Sequence, residues 1–130
     1  MSEFGKKPYV VNIGETAKSN ESYRQEVWTG EKLQVFVMSI GPNDESGIEI
    51  HHNIDQFIRI ESGQGVVRMG PESDEANFER AITVDDAIFV PSETYHNIIN
   101  TGGEPLLLYT IYSGKQFDEG TIHPLKPEMQ

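Results

Sequence analysis

The chain has 130 residues, which suits one domain with its own hydrophobic core and is short for two. Its 21 acidic and 10 basic residues give a formal net charge of -11, which disfavours nucleic acid and anionic membranes as partners because both would repel the protein. With no cysteine, any metal must be held by nitrogen and oxygen ligands, and a reducing cytoplasm is compatible with the composition.

The N-terminal residues are polar, and we expect no signal peptide in them. Residues 1–8 lack the apolar run of a signal peptide, and no stretch of the chain approaches the roughly 20 apolar residues of a membrane span. We therefore expect a cytoplasmic protein. Residues 1–22 are interpreted as an N-terminal arm in which the apolar run Tyr9–Ile13 can form an edge strand.

Short strands separated by turn residues are predicted across residues 23–113. Turn residues every eight to twelve positions and the absence of helical periodicity are typical of an all-β sandwich or barrel. Residues 114–130, with two prolines, are interpreted as a C-terminal tail that packs on the barrel surface. The predicted strands are Tyr23–Trp28, Leu33–Ile40, Ile48–His52, Gln56–Glu61, Gly65–Met69, Asn77–Ile82, Ala87–Val90, His96–Asn100 and Leu106–Tyr112.

The strand Ile48–His52 carries charged and metal-capable side chains where a β-protein normally has core. Side chains two apart on a strand share a face, so Glu49 and His51 point one way and His52 points the other. On a regular strand the two histidines cannot both bind one metal, and His52 is expected at the surface. A hairpin of this length can bring Gln56 alongside His51.

The opposite face of the same strand carries Ile48 and Ile50. An exposed apolar sheet face usually meets a partner, so we predict a homodimer.

Two sets of residues resemble the sequence motifs of the cupins. The first cupin motif reads Gly, five residues, His, one, His, three or four, Glu, six, Gly. Counting back from Gly63 places Gln56 at the Glu position, with His51 at the second His and Glu49 at the first.

The second cupin motif reads Gly, five residues, Pro, one, Gly, two, His, three, Asn. Its spacing is met from Pro91 onward, with His96 at the His and Asn100 at the Asn. Glu93 stands at the inner Gly position and Asp85 at the leading one.

The resemblance covers about residues 33–112 and implies a small jelly-roll β-barrel holding a metal. This chain departs from the common three-histidine, one-glutamate set, because its carboxylate occupies the first position and a neutral amide the usual carboxylate position. Two imidazoles, one carboxylate and an amide oxygen suit Fe(II), Mn, Ni or Zn. The implied ligands are Glu49, His51, Gln56 and His96.

Several alternatives remain open at this point. A tighter turn would make Asp55 the carboxylate ligand instead of Gln56, although Asp55 more naturally closes the turn. Glu49 and His51 can also be read as a buried hydrogen-bonded pair with no metal. His123, between a β-branched residue and a proline, is expected in solvent unless the tail folds over the barrel mouth.

The resemblance implies a metalloenzyme acting on a small oxygen-rich metabolite, as an isomerase of the mannose-6-phosphate isomerase type, a dioxygenase or a decarboxylase. Glu49 is then a metal ligand or a catalytic general base. The alternative is a non-catalytic module that binds a metal or small ligand. A sugar phosphate would need a basic partner, and the sequence does not place any arginine at the barrel mouth; the arginines are Arg24, Arg59, Arg68 and Arg80.

Overall fold

The computed structural model describes residues 7–74 and 77–127. In these ranges the chain forms one short helix and nine strands, and all strand pairs are antiparallel, which confirms the all-β prediction. The elements are α1 (Ile13–Ser19), β1 (Arg24–Thr29), β2 (Gln34–Ile40), β3 (Gln56–Ser62), β4 (Gln64–Gly70), β5 (Phe78–Thr83), β6 (Ala87–Val90), β7 (Tyr95–Asn100), β8 (Leu106–Tyr112) and β9 (Ile122–His123).

The strands form two sheets with the core between them. The larger sheet has the order β6-β3-β8-β2-β1-β9 and the smaller one β5-β4-β7. Buried and partly exposed residues alternate strictly along β8, which is the signature of a strand with one face in the core. The core cluster takes side chains from both sheets, including Ile60 and Leu108 from the larger and Val67 and Ile98 from the smaller.

The predicted strand Ile48–His52 is not a regular strand. The segment is extended and touches β7 at two isolated bridges, Glu45 with Ile99 and Glu49 with His96. Gly47 has a φ of 86°, which breaks the strand geometry just before the segment. Glu49 nevertheless keeps the pairing of an antiparallel strand residue, because it exchanges both backbone hydrogen bonds with His96 at 2.9 Å.

The edge strand predicted at Tyr9–Ile13 is wrong. Residues 7–12 are irregular, and the chain then enters α1, whose first turn is capped by the Asn12 side chain accepting from the Glu15 N–H at 3.0 Å. The local capping signal therefore outweighs the apolar run. No helix in the described ranges has the length and apolar character needed to cross a membrane.

The C-terminal tail returns to the first strand of the barrel. Ile122 and His123 of β9 pair with Gln25 and Arg24 of β1, and the Tyr23 N–H donates to the Pro124 carbonyl at 3.1 Å. The tail thus adds a short edge to the larger sheet and brings its residues to the end of the barrel where β1 begins.

Candidate metal centre

A carboxylate and two imidazoles meet at one end of the barrel. Glu49 and His51 lie on the extended segment beside β7, and His96 lies on β7 itself. One potential ligand atom from each of the three lies within 4.8 Å of the other two, and Glu49 Oε1 is 3.8 Å from His96 Nε2. The backbone pairing of Glu49 with His96 fixes this arrangement before any ligand is bound.

Both imidazoles are held in the orientation that a metal ligand requires. Nδ1 of His51 donates to Oε1 of Gln116 at 2.9 Å, and Nδ1 of His96 donates to the Thr94 carbonyl at 3.2 Å. A neutral imidazole with its proton on Nδ1 presents a lone pair on Nε2. Among the described residues both Nε2 atoms are buried with no hydrogen-bond partner, so each has an unused acceptor.

Burial sets the protonation of the three groups. It lowers the pKa of His96 from 6.5 to about 4 and lowers the pKa of His51 as well, so both imidazoles are neutral at neutral pH. Burial also raises the pKa of the Glu49 carboxyl, and the nearby Arg24 guanidinium opposes that shift. Two neutral imidazoles beside a carboxylate form a donor set for a divalent cation.

Gln56 presents a third buried acceptor at the same end of the barrel. Its Nε2 donates to the Thr110 hydroxyl at 2.8 Å, and that hydroxyl donates to the Phe57 carbonyl at 3.0 Å. The amide Oε1 of Gln56 is left buried without a partner among the described residues. Gln56 pairs with Tyr112, whose ring centroid lies 5.1 Å from that of His51.

The donor set fits a divalent metal. Unpaired buried polar atoms are rare in folded proteins because each costs about 1–3 kcal/mol, and here three of them belong to His51, His96 and Gln56. The clustered groups of Glu49, His51 and His96 offer one oxygen and two nitrogens, which suits a first-row metal or zinc.

The amino-acid sequence of this chain matches a family model and a known protein. The family model described as "Cupin domain" matches residues 36–112. Over 128 residues the chain is 47% identical to protein YrkC of Bacillus subtilis (strain 168), an alignment that covers 98% of this chain and 69% of YrkC. This chain belongs to the cupin family. The expected resemblance is thereby confirmed.

Solved structures agree with this assignment. The cupin superposes on the crystal structure of BH2720 from Bacillus halodurans with a TM-score of 0.91 and 45% identity, covering 92% of this chain and 91% of BH2720. An oxalate decarboxylase of Bacillus subtilis with Mn(II) centres gives a TM-score of 0.61 at 19% identity, covering 68% of this chain and 23% of the decarboxylase. The second likeness shows the shared fold alone.

The glycine positions of the second cupin motif keep their backbone geometry without glycine. Asp85 and Glu93 have φ angles of 75° and 63°, in the left-handed region that glycine adopts most readily. The Glu93 carboxylate accepts the Asn53 N–H at 2.8 Å and lies 2.6 Å from His52 Nδ1. The turn before β7 is therefore preserved by side-chain contacts, and His96 reaches the centre.

The remaining predicted residues lie away from the ligand atoms. His52 is exposed and pairs with Glu93 at the surface. Asp55 is also exposed, and its Oδ1 accepts the Ser92 N–H at 3.0 Å, so it closes a turn. His123 is half-buried, because the tail does fold over the barrel end and sets its Nδ1 3.0 Å from Arg24.

Sequence reasoning missed Arg24 as a member of the site. Arg24 opens β1, its side chain is only 5% exposed, and its NH2 group lies 3.4 Å from Glu49 Oε2. Phe117 and His123 from the tail also contact its guanidinium. No local pattern distinguishes this arginine from a surface one, because all of these contacts are long-range.

Sequence reasoning also missed the residues that anchor the tail. Gln34 in β2 is fully buried; its Nε2 donates to the Phe117 carbonyl at 2.7 Å, and its Oε1 accepts the Gln116 N–H at 2.8 Å. Gln116 in turn orients His51. One signal was available: a glutamine sharing a face with Phe36 and Met38 in a strongly apolar strand must find hydrogen-bond partners inside.

Proposed function

We propose that this cupin binds a divalent metal through Glu49, His51 and His96, with the Gln56 amide oxygen as a fourth donor, and acts on a small oxygen-rich metabolite. The observation that supports it best is the pair of buried Nε2 atoms on His51 and His96, each with Nδ1 hydrogen-bonded and no partner on the other nitrogen. Such an arrangement is costly in a protein that binds nothing there.

A divalent metal would supply Lewis acidity at this position, polarising a carbonyl or carboxylate oxygen of the substrate. The protein's own contribution is positional. Gln116 and the Thr94 carbonyl hold the two imidazoles, and the backbone exchange between Glu49 and His96 holds the carboxylate. Glu49 has about 29% of its side chain exposed, so it is also placed to exchange a proton with a bound molecule as a general base. Isomerase, dioxygenase and decarboxylase chemistry all use such a site.

The alternative function is a non-catalytic cupin that holds a metal or small ligand. The contact of the tail with the centre favours it, because Gln116 lies on His51 and β9 lies along β1. A centre that is in contact with the C-terminal tail is better suited to tight binding of a metal or ligand than to turnover of a substrate. Multiple-turnover conversion of a substrate by the metal-loaded protein would exclude this alternative.

The metal hypothesis is tested by His96→Ala and His52→Ala side by side. We expect purified wild type to carry metal near one equivalent, and His96→Ala to lose it, because His96 offers one of the two free Nε2 atoms. His52→Ala should keep the metal, since His52 is exposed and contacts Glu93 only at the surface. Elemental analysis and the melting temperature with and without chelator are the measurements.

Two outcomes would contradict the proposal. One is wild-type protein that contains no metal, takes up none of Fe(II), Mn(II), Ni(II) or Zn(II), and melts at the same temperature in chelator. The other is a His96→Ala variant that retains full metal content, which would place the metal elsewhere.

A further inference from the structure

Arg24 carries a buried charge, and the residues around it accept hydrogen bonds from only some of its N–H donors. Its side chain is 5% exposed, and a guanidinium has five N–H donors. Its NH2 group lies 3.4 Å from Glu49 Oε2, longer than the roughly 2.7–2.9 Å of a strong charge-assisted hydrogen bond. NH1 faces the neutral acceptor Nδ1 of His123 at 3.0 Å. Nε is buried and has no partner among the described residues.

Aromatic rings hold the guanidinium in place without neutralising it. Its carbon lies 4.4 Å from the ring centroid of Phe117 and 5.0 Å from that of Tyr23. Such cation–π contacts fix the orientation of the fork, and although the Tyr23 side chain also hydrogen-bonds to Arg24, Nε stays without a partner among the described residues. The position of Arg24 is therefore set before an anion arrives.

Glu49 links this cation to the metal-ligand cluster. Its Oε2 faces Arg24 at 3.4 Å, and its Oε1 lies 3.8 Å from His96 Nε2. The two oxygens of one carboxylate thus reach both groups. A molecule of a few heavy atoms can span the same interval, with one oxygen at the metal position and an anionic group on Arg24.

The anionic group that fits best is a carboxylate. Arg24 acts without a second arginine, because the other three lie on the outside. Arg59 is paired with Asp85 at 2.7 Å, Arg68 is paired with Glu79 at 3.0 Å, and the exposed Arg80 lies over the Phe78 ring. A phosphate dianion would bring two negative charges to one guanidinium beside the Glu49 carboxylate, whereas a carboxylate group brings one and also matches the fork of a single arginine.

We propose that Arg24 is the recognition residue for the carboxylate of a small carboxylic acid that reaches the metal position with a second oxygen. This inference rests on the proposed function and narrows its substrate class. The carboxylate takes Nε and one terminal nitrogen of Arg24, and the long contact of Arg24 with Glu49 loosens. A sugar phosphate is correspondingly disfavoured as the substrate.

The direct test is the side-chain Nε–H resonance of Arg24 in wild-type protein, titrated with malonate at constant ionic strength, with malonamide and inorganic phosphate as matched probes. Four arginines give four such signals, and Arg59→Lys, Arg68→Lys and Arg80→Lys assign the Arg24 signal by elimination. We expect a saturable shift of the Arg24 signal with malonate, none with malonamide and a weaker response to phosphate. No shift with malonate, or tighter binding of phosphate, would overturn the proposal.

Variants provide the second measurement. Arg24→Lys keeps the charge but removes the bidentate fork, so malonate affinity measured by calorimetry should fall roughly tenfold or more. Arg68→Lys, an exposed arginine paired with Glu79, should bind malonate as wild type does. Equal affinity in Arg24→Lys and wild type would contradict the inference. The wild-type titration decides the matter if Arg24→Lys does not fold.

Running each titration on chelated and on zinc-loaded protein separates this inference from the metal hypothesis. A shift of Arg24 in chelated protein supports carboxylate recognition even if no metal binds. Stoichiometric zinc with an unresponsive Arg24 would support the metal centre and reject the carboxylate.

Discussion

Gln56 satisfies two demands that a glutamate could not. The Thr110 hydroxyl gives its proton to the Phe57 carbonyl, so its oxygen can only accept from residue 56. An amide supplies the required N–H and still presents an oxygen, whereas a carboxylate would either face the hydroxyl oxygen with no proton between them or take the proton that Thr110 gives to Phe57. The amide at a position where cupins commonly have glutamate thus follows from its neighbour on β8.

We expect Gln56→Glu to destabilise the chelated protein by about 1–3 kcal/mol, because two acceptors would then face each other in a buried position. Added Zn(II) should restore more stability to this variant than to wild type, since a carboxylate is the stronger ligand. Urea unfolding with chelator and with zinc measures both effects. Gln64→Glu, at the exposed start of β4, is the control and should change little. Equal stability of Gln56→Glu and wild type in chelator would refute this account of the amide.

Ionisation of Tyr23 makes the free energy of unfolding depend on pH in the alkaline range. Burial raises its pKa from 10.0 to about 12. Above pH 10 the unfolded chain releases a phenolic proton that the folded protein keeps, so the free energy of unfolding falls as pH rises through this window. The free energy of unfolding lost through Tyr23 between pH 8 and pH 11 is on the order of 1 kcal/mol.

Tyr23→Phe removes this dependence together with the hydrogen bond to the Ser46 carbonyl at 3.3 Å. The variant should be less stable than wild type at pH 8 and should lose less stability between pH 8 and pH 11. Burial also raises the pKa of Tyr112, which is present in both proteins and cancels in the comparison. Urea midpoints at the two pH values are the measurement, and parallel losses would show the prediction to be wrong.

At the scale of elements, β4 and β7 approach so closely that Gly65 has no room for a side chain. A Cβ there would lie 2.3 Å from the Ile99 carbonyl oxygen and 3.2 Å from Leu106 Cδ2. β4 also pairs with β7 at Met69 and His96, so a displacement of β7 near Ile99 would act on the strand that carries a proposed ligand.

Gly65→Ala should therefore cost about 1–3 kcal/mol, because backbone must move to relieve the overlap. Gly103→Ala is the matched control, since a Cβ at Gly103 meets no heavy atom within 4 Å. It should be neutral or slightly stabilising. Thermal melts in chelator compare the two, and we expect metal affinity to weaken in Gly65→Ala alone. Equal melting temperatures for the two variants would contradict the close approach.

Sequence patterns predicted the features that depend on residues close together in the chain. Strand alternation and motif spacing placed Glu49, His51 and His96 together, and the structure brings their ligand atoms within 4.8 Å. The contact of Arg24 with Glu49 spans 25 positions and that of His51 with Gln116 spans 65. Contacts of that range depend on how the tail returns to β1, which no short pattern encodes. The capped helix α1 was missed because its apolar neighbours at Tyr9–Ile13 favoured a strand.

At the scale of the whole molecule, the homodimer stays a prediction. Of the two isoleucines on which it was based, Ile48 is 52% exposed and Ile50 is half-buried. Phe89 on the edge strand β6 is 69% exposed and packs against Phe57 with ring centroids 5.3 Å apart. Two apolar surfaces are thus available to a second copy.

We expect a mass in solution of twice 14.6 kDa at micromolar concentration. Ile48→Glu and Phe89→Glu, measured by light scattering, identify the surface that is used, because a buried charge at the interface should dissociate the dimer. A wild-type monomer at this concentration would refute the prediction. Dimers in both variants would place the interface elsewhere.

The docking of the tail has a thermodynamic consequence. Gln116 orients His51, and Phe117 and His123 position Arg24, so a detached tail leaves the barrel with a disordered ligand and an unsupported cation. Part of the free energy of metal binding would then be used to dock the tail. By reciprocity, a bound metal would stabilise the docked tail against detachment. The tail residues from Gln116 to His123 and the proposed cofactor would stabilise each other, and proteolysis near Lys115 would report occupancy of the metal site.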